Sequence, residues 1–428
     1  MKIFFNLFFA TVLLVVSAES LYAADLKVNG EYRFRTYMYN DIDAIDQTNK
    51  DGSDYIDQRF LLTGTVSQGV TTGVVELNLI KGAANGVWGN GYGGNLSIQG
   101  VHQAYINVTL PLANLMAGRR GIKLGHGIIL NDTSDNLALH FPLEMVAIDL
   151  AYLKLREPDN RNLGANEDAD QTGLLLNVGI KPTDMWNFGL FYVTDTQKKV
   201  AGISPSDDTT VNVFGISADG MAGPVGIAFE FDAISGKDGT GVTSKDRKGQ
   251  NLLLAAHTDL GMAKVGIGYL RVKGADKTAT NEVGYNSISG DFVGGNGILL
   301  NDQTRYGGGM DLNTGAADLK DTTTQLKALS HNFQALKLFA TAAPMDNLMV
   351  GLEIFPLVRL IDSDTAGNDN VGTELNLTGG YQIDKNLKVT GLAAFFSPSD
   401  VVKDVAVAAG AADKKSVTKL NAALTYTF

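Results

Sequence analysis

The chain of 428 residues contains no cysteine, only nine prolines and only five histidines. The absence of cysteine excludes a disulfide scaffold and a thiolate metal site. The histidines are not spaced four residues apart in a helical pattern, so we expect no bound metal ion and no cofactor. The formal net charge of -11 indicates that nucleic acid is not a partner, because phosphate backbones attract basic surfaces.

The sequence also lacks the short motifs of common catalytic centres. A barrel-shaped hydrolase needs a nucleophile activated by a nearby base, and no Gly-x-Ser-x-Gly or comparable arrangement occurs. Serine and histidine do not cluster along the chain. We therefore predict that the protein is not an enzyme. A site assembled from residues distant in sequence is the alternative that this reasoning leaves open.

Long hydrophobic runs are missing after the start of the chain. Residues 3–16 are almost continuously apolar, follow the basic start Met1-Lys2, and precede small residues near Ala23 and Ala24. This is the pattern of a secretory signal peptide. The run is shorter than the roughly 20 residues of a membrane helix, although an uncleaved anchor is the alternative. We predict a signal peptide over residues 1–24 and one domain over residues 25–428.

The mature chain instead shows alternation of apolar and polar residues. Val28, Tyr32 and Phe34 lie on one row of the first segment, and Arg33 and Arg35 lie on the other. Period-two alternation indicates β-strands. A soluble β-sandwich also alternates, but here the second row is mostly glycine, alanine, asparagine, threonine and charged residues, which suits water. The pattern predicts an all-β, transmembrane, antiparallel up-and-down β-barrel.

Turn signals set the number of strands. Short turns are expected near residues 67–70, 111–114, 142–144, 181–184, 219–222, 259–262, 343–346 and 383–386. Together with the longer polar segments between them, they require about 18 strands, with 16 as the alternative. The even number depends on a short strand over residues 135–141. Short turns should face the periplasm and long loops the cell surface, where loop 274–330 either projects or folds inward.

The last strand ends on an aromatic residue. Leu420, Ala422, Leu424, Tyr426 and Phe428 form one apolar row. This strand resembles the terminal strand of bacterial outer-membrane porins, in which a final phenylalanine after alternating apolar residues is the signal for the barrel-assembly machinery. The resemblance implies that Leu424, Tyr426 and Phe428 form an assembly signal and that this machinery is a partner.

The whole mature chain resembles a Gram-negative outer-membrane β-barrel porin. Residues 115–127 are similar to a strand-and-turn segment of alginate-export-like and phosphate-selective-type porins, with Arg120 where that family has glutamine. The resemblance implies export with a cleaved signal peptide and insertion into the bacterial outer membrane. Lipid and lipopolysaccharide then surround a monomer or a homotrimer.

A barrel of 16 to 18 strands encloses an aqueous lumen. We therefore predict a porin for passive diffusion of small hydrophilic solutes or ions. Two alternatives stay open: a substrate-specific anion or oligosaccharide channel, and a surface adhesin or structural anchor whose loops block the lumen.

Alternation also assigns charged residues to the lumen. The predicted basic wall comprises Arg33, Arg35, Arg59, Arg119 and Lys419, with Glu31 and Asp57 as local acidic partners. The predicted acidic wall, about halfway round the barrel, comprises Glu230, Asp232, Glu353 and Glu374. Opposed walls of charge would create a field across the pore. In the alternative interpretation, each charge is paired with a neighbour on the next strand.

One short sequence occurs twice in similar form, and we call this similarity the internal echo. Residues 125–132 read GHGIILND, and residues 295–302 read GNGILLND. Either two matching loops meet in the pore, or the similarity arises by chance in a chain rich in glycine, leucine and asparagine. No repeat period accompanies the echo.

Overall fold

A computed structural model describes residues 24–40, 53–81, 100–156, 171–198, 208–239, 244–274, 282–284, 332–361, 367–408 and 413–428. The predicted signal peptide, apart from Ala24, and nearly all of loop 274–330 lie outside the described residues, so neither prediction is tested.

The part of the chain that the structure describes is built almost entirely from strands. In chain order these are β1 (Asp25–Asn40), β2 (Ser53–Gln68), β3 (Thr71–Lys81), β4 (Gly100–Thr109), β5 (Asn114–Lys123), β6 (Asn131–Pro142), β7 (Val146–Arg156), β8 (Gln171–Thr183), β9 (Trp186–Gln197), β10 (Thr209–Ala222), β11 (Val225–Asp238), β12 (Lys245–Leu260), β13 (Ala263–Lys273), β14 (Glu282–Gly284), β15 (Asn332–Met345), β16 (Leu348–Leu360), β17 (Asn370–Gln382), β18 (Leu387–Pro398) and β19 (Val417–Thr427). One helix, α1 (Asp400–Ala408), lies between β18 and β19. Within the described ranges, no helix is long and apolar enough to cross a membrane.

The strands close into a barrel. Each long strand pairs antiparallel with its neighbours in chain order, β13 pairs directly with β15, and β1 closes the ring against β19. The three-residue β14 instead lies parallel to β12. The remaining described strands form a closed barrel of 18. The predicted fold and strand number are confirmed, including β6 over the segment on which the even number depended.

The two ends of the barrel differ. At one end, the strands are joined by short connections, such as residues 69–70 between β2 and β3 and residues 110–113 between β4 and β5. Asp25 and Phe428 both lie at this end. Gly69, Gly223 and Gly261 adopt positive φ in three of these turns, which tight hairpins require. The longer connections lie at the other end. We call these the short-turn end and the long-loop end.

The predicted apolar row faces outward. Leu150, Tyr152, Leu174 and Leu190 are each at least 40% exposed, and the cross-strand register places Leu150 beside Leu176 and Leu139. Exposed large apolar side chains of this kind recur around the whole barrel, which suits a surface in contact with lipid.

The final residue, Phe428, is bound at the seam where β1 pairs with β19. Gly30 N donates to Phe428 O at 2.9 Å, and Phe428 N donates to Gly30 O at 3.1 Å. The Phe428 ring stacks with Phe60 and Tyr426, with centroids 6.1 and 6.0 Å apart. Gly30 lies under this ring, where a Cβ would collide with it.

Deleting Phe428 is therefore expected to reduce the amount of folded barrel in the membrane sharply, while export to the periplasm continues. Gly30→Val is the matched variant, because it displaces the ring but keeps the terminal sequence. It should assemble normally and melt at a lower temperature, since aromatic pairs contribute about 0.5–1.5 kcal/mol. Heat-modifiable mobility on gels measures the folded fraction. Equal folded fractions for the deletion and Gly30→Val would show that Phe428 acts through packing alone.

Candidate functional site

The connection between β5 and β6, residues 124–130, folds into the barrel. Leu124, Ile128, Ile129 and Leu130 are each at most 1% exposed. Backbone hydrogen bonds close the turn, from Leu124 N to Leu130 O at 2.9 Å and from Gly127 N to Leu124 O at 2.8 Å. We call residues 124–130 the inner loop.

The inner loop is fixed to β11, six strands away from β5. The backbone N–H of His126 donates to Glu230 Oε2. The His126 ring Nε2 lies 3.3 Å from Phe229 O and 3.7 Å from Asp219 Oδ1. Gly125 has φ of 50°, and a Cβ there would collide with the Glu230 carboxyl group. Glycine is needed at this point both for the left-handed backbone and for the close approach.

Apolar packing holds the inner loop on both sides. Leu124, Ile129 and Leu130 belong to a cluster that we call the β5–β11 cluster, whose other buried members are Ile122, Ala138, Ala151, Leu153, Leu175, Phe191, Val193, Val211, Val213 and Ile234. Ile128 belongs to a second cluster, the β12–β19 cluster, with Leu253, Leu270, Val272, Phe333, Ala335, Phe355, Val358, Leu360, Val371, Ala394, Phe396, Val401, Val402 and Val417. Because Val401 and Val402 lie on α1, this helix and the inner loop fill the same part of the lumen.

The wall formed by β1 to β4 carries several arginines. Among the described residues, neither cluster includes a member from β1, β2, β3 or β4. The inward positions there include Arg33, Arg35 and Arg59, and β5 adds Arg120. We call these four arginines the basic face. It borders the part of the lumen that neither cluster of described residues fills.

Two arginines of the basic face lie directly opposite each other. Arg33 pairs with Arg59 in the β1–β2 register, whereas Arg35 pairs with Asp57. The guanidinium carbon Cζ of Arg35 lies 5.3 Å from the centre of the Tyr37 ring. The side chain of Asp57 is outside the described set. Like charges at directly opposed positions destabilise a sheet. Arginine binds carboxylate and phosphate groups through paired donors, so the Arg33–Arg59 pair is a candidate for contact with anionic solutes. Glu31 lies on the same inward row.

Arg119 does not face the lumen as expected. Its Nη1 lies 3.6 Å from Asp135 Oδ2, the two side chains are 44% and 56% exposed, and Asp135 shares its outward row with Leu137. The next residue, Arg120, faces inward and donates from Nε to Asn136 Oδ1 at 2.9 Å. The predicted lumen position for Arg119 is therefore wrong by one residue.

The acidic residues face inward as expected but are covered. Glu230 and Asp232 are 0% exposed, and Asn251 Nδ2 donates to Asp232 Oδ2 at 3.2 Å. Glu230 serves as the anchor for the inner loop. These two carboxyl groups therefore do not form an acidic wall in contact with water.

Three further members of the predicted walls, Glu353, Glu374 and Lys419, are also buried. Glu353 forms an ion pair with Lys337 Nζ at 2.6 Å, and Glu374 Oε1 accepts a hydrogen bond from Asn376 Nδ2 at 2.8 Å. Lys419 is 0% exposed. Glu353 therefore fits the alternative interpretation, in which each charge is paired with a neighbour on the next strand.

Sequence reasoning missed the inner loop, Arg120 and Lys337. The echo at residues 125–132 was the available signal for the loop, since its first copy contains Gly125, Gly127 and the buried Ile128 and Ile129. The second copy, residues 295–302, lies outside the described residues.

Comparison with known proteins agrees with this architecture. The solved structure of a BenF-like porin from Pseudomonas fluorescens Pf-5 matches with a TM-score of 0.57 and 11% identity, over 94% of this chain and 98% of that one. The fold is that of an outer-membrane porin. Pseudomonas aeruginosa OpdO matches with a TM-score of 0.57 and 14% identity, over 94% and 97% of the two chains. P. aeruginosa OpdK, solved with vanillate, matches with a TM-score of 0.54 and 9% identity, over 94% and 98%.

At these identities the porin structures establish the fold alone. No family model and no curated protein sequence matches the chain. The comparisons give no support to the nearer resemblance to alginate-export-like and phosphate-selective porins, which was based on residues 115–127.

Proposed function

We propose that the protein is an outer-membrane porin, an aqueous channel and not an enzyme, through which small hydrophilic solutes diffuse. The observation that supports this most is the division of the lumen. The inner loop and α1 cover the acidic and apolar parts of the wall, whereas neither cluster, within the described ranges, includes a residue of the strands that carry Arg33, Arg35 and Arg59. A barrel of this size leaves room for water once its interior is only partly filled.

A second candidate, a channel selective for anions, is favoured by the opposed Arg33 and Arg59. Arginine is always charged and binds carboxylate and phosphate through paired donors. The related fold of OpdK was solved with vanillate, which is an anion. We therefore propose diffusion with a preference for anions. The third candidate, an anchor or adhesin, requires the inner loop and α1 to block the lumen completely.

Arg119 and Arg120 provide the test, because they are adjacent in sequence and face opposite sides of the barrel. Purified wild type, Arg120→Gln and Arg119→Gln would each be reconstituted in planar bilayers under a KCl gradient. We expect wild type to conduct with an anion-preferring reversal potential. Arg120→Gln should shift that potential toward cations, because it removes one lumen charge. Arg119→Gln should leave it unchanged.

The outcomes separate the three candidates. Absence of conduction by a folded wild-type barrel would favour the anchor and overturn the channel proposal. Conduction without ion preference would leave a general diffusion pore. Equal shifts for the two variants would contradict the assignment of the lumen side.

A further inference from the structure

Three polar side chains form a row on the outside of the barrel. Arg271 on β13 lies opposite Gln334 on β15, and Gln334 lies opposite Arg359 on β16. Each of the three is preceded and followed in sequence by a residue of the β12–β19 cluster inside the lumen, so each faces outward. Adjacent strands are about 4.8 Å apart, which places the two arginine backbones about 10 Å apart. We call Arg271, Gln334 and Arg359 the outer row.

The outer row offers N–H groups that can donate hydrogen bonds to an anion. Tyr269 donates from its hydroxyl group to Gln334 Oε1 at 2.8 Å, which assigns the amide oxygen and leaves Nε2 as a donor between two guanidinium groups. Arg359 Nη1 lies 3.8 Å from Asp369 Oδ2, and both side chains are nearly half exposed. Such exposed pairs contribute only about 0–1 kcal/mol, so a stronger anion can replace Asp369.

The surroundings combine further positive charge with apolar surface. Lys273 follows Arg271 on the same outward row of β13, and the exposed Lys248 lies on the outward row of β12. Toward the short-turn end, the same outward rows carry the lipid-facing Ile267 and Leu338, which are 46% and 40% exposed. By contrast, the outward rows of β1, β17, β18 and β19 carry neither lysine nor arginine among their described residues. The basic residues of β12, β13 and β16 therefore lie where the long-loop end of the barrel meets the apolar belt.

We propose that the outer row binds a phosphate group of lipid A, the membrane-embedded part of lipopolysaccharide. This rests on the proposed function, because it requires the long-loop end to lie in the outer leaflet. Two guanidinium groups flanking an amide donor suit the several acceptor oxygens of a phosphate monoester. The apolar belt below receives the acyl chains of the same molecule. Charge and apolar surface thus fit one amphiphilic ligand.

The test compares the double variant Arg271→Gln/Arg359→Gln with Lys181→Gln/Lys264→Gln, which loses the same charge near the short-turn end. Fluorescent Kdo2-lipid A would be titrated into each protein in non-ionic detergent. Each cation near an anionic membrane surface contributes about 1 kcal/mol, so the outer-row variant should bind at least about tenfold more weakly. The short-turn variant should bind as wild type does. Dephosphorylated Kdo2-lipid A should bind wild type as weakly as the phosphorylated lipid binds the outer-row variant.

Two further arms identify the ligand. Phosphatidylglycerol should bind all three proteins weakly and equally, and inorganic phosphate should compete only at high concentration. Equal affinity of wild type and outer-row variant for Kdo2-lipid A would overturn the proposal. So would full binding of the dephosphorylated lipid, or loss of phosphatidylglycerol binding to the same extent. Bilayer conductance of the outer-row variant should equal that of wild type. A wild-type barrel that fails to conduct would contradict the proposed function while leaving the lipid titration readable.

Discussion

Replacing Gly125 with valine is expected to raise single-channel conductance severalfold. A valine there must adopt the left-handed backbone conformation, which costs on the order of 1–3 kcal/mol, and its side chain collides with the Glu230 carboxyl group. The inner loop then loses the hydrogen bond between His126 N and Glu230 and moves away from β11. Because the loop crosses the lumen, its displacement widens the aqueous path. Conductance of single reconstituted channels is the measurement.

Gly121→Val is the matched control for this prediction. Gly121 lies on β5, four residues before Gly125, and a Cβ added there meets no atom within 4 Å. The same substitution should therefore leave conductance at the wild-type value. Unchanged conductance in Gly125→Val would show that the inner loop does not limit the flow of ions.

The second large effect concerns the sign of ion selectivity. Arg33→Glu combined with Arg59→Glu should convert an anion-preferring channel into a cation-preferring one. The double change replaces two positive charges by two negative charges at one level of the lumen, and an adjacent monovalent ion feels each on the order of 1 kcal/mol even in water. Because two like charges still lie opposite each other, the β1–β2 ladder should be no less stable than before. The reversal potential in a salt gradient gives the sign directly.

Lys181→Glu combined with Lys385→Glu produces the same change in net charge beside two short turns. Screening over a Debye length of about 8 Å at physiological salt limits the influence of those positions on the lumen. This control should keep the anion preference. If both double variants shift the reversal potential equally, net charge at the mouth decides selectivity, and the basic face does not.

The regular part of the fold was predictable from sequence because the lipid and the lumen impose alternation. Even the weak strand β6 was predictable, since an even number of strands is needed to bring Asp25 and Phe428 to the same end. Turn signals also located the short connections, although the turn expected at residues 219–222 lies at residues 223–224. Each of these features depends on neighbours in sequence or on a rule for the whole class of barrels.

The interior was predictable only in part, because alternation was interpreted as a wet lumen throughout. Phe191, Val193 and Val213 face inward and are at most 1% exposed, because they pack under the inner loop. The position of Arg119 was wrong for the same reason. Each of the two alternating rows of β5 contains apolar residues and one arginine, so alternation alone does not show which row faces the lumen. The structure shows that the row of Arg120 and Ile122 does, because Ile122 belongs to a cluster inside the lumen. The contact of His126 with Glu230 joins residues 104 positions apart, and no local pattern encodes it.

The seam between β1 and β19 also has a kinetic consequence. Asn421 Nδ2 donates to Thr36 O at 2.9 Å across a separation of 385 residues, and every pair of the β1–β19 ladder joins residues from opposite ends of the chain. Contacts so distant along the chain raise the contact order and slow folding, because loop-closure entropy is lost before they form. Until β19 is in place, β1 and β18 both present open edges that can pair with other chains. The lifetime of these edges, rather than the final stability of the barrel, therefore sets the risk of aggregation during assembly.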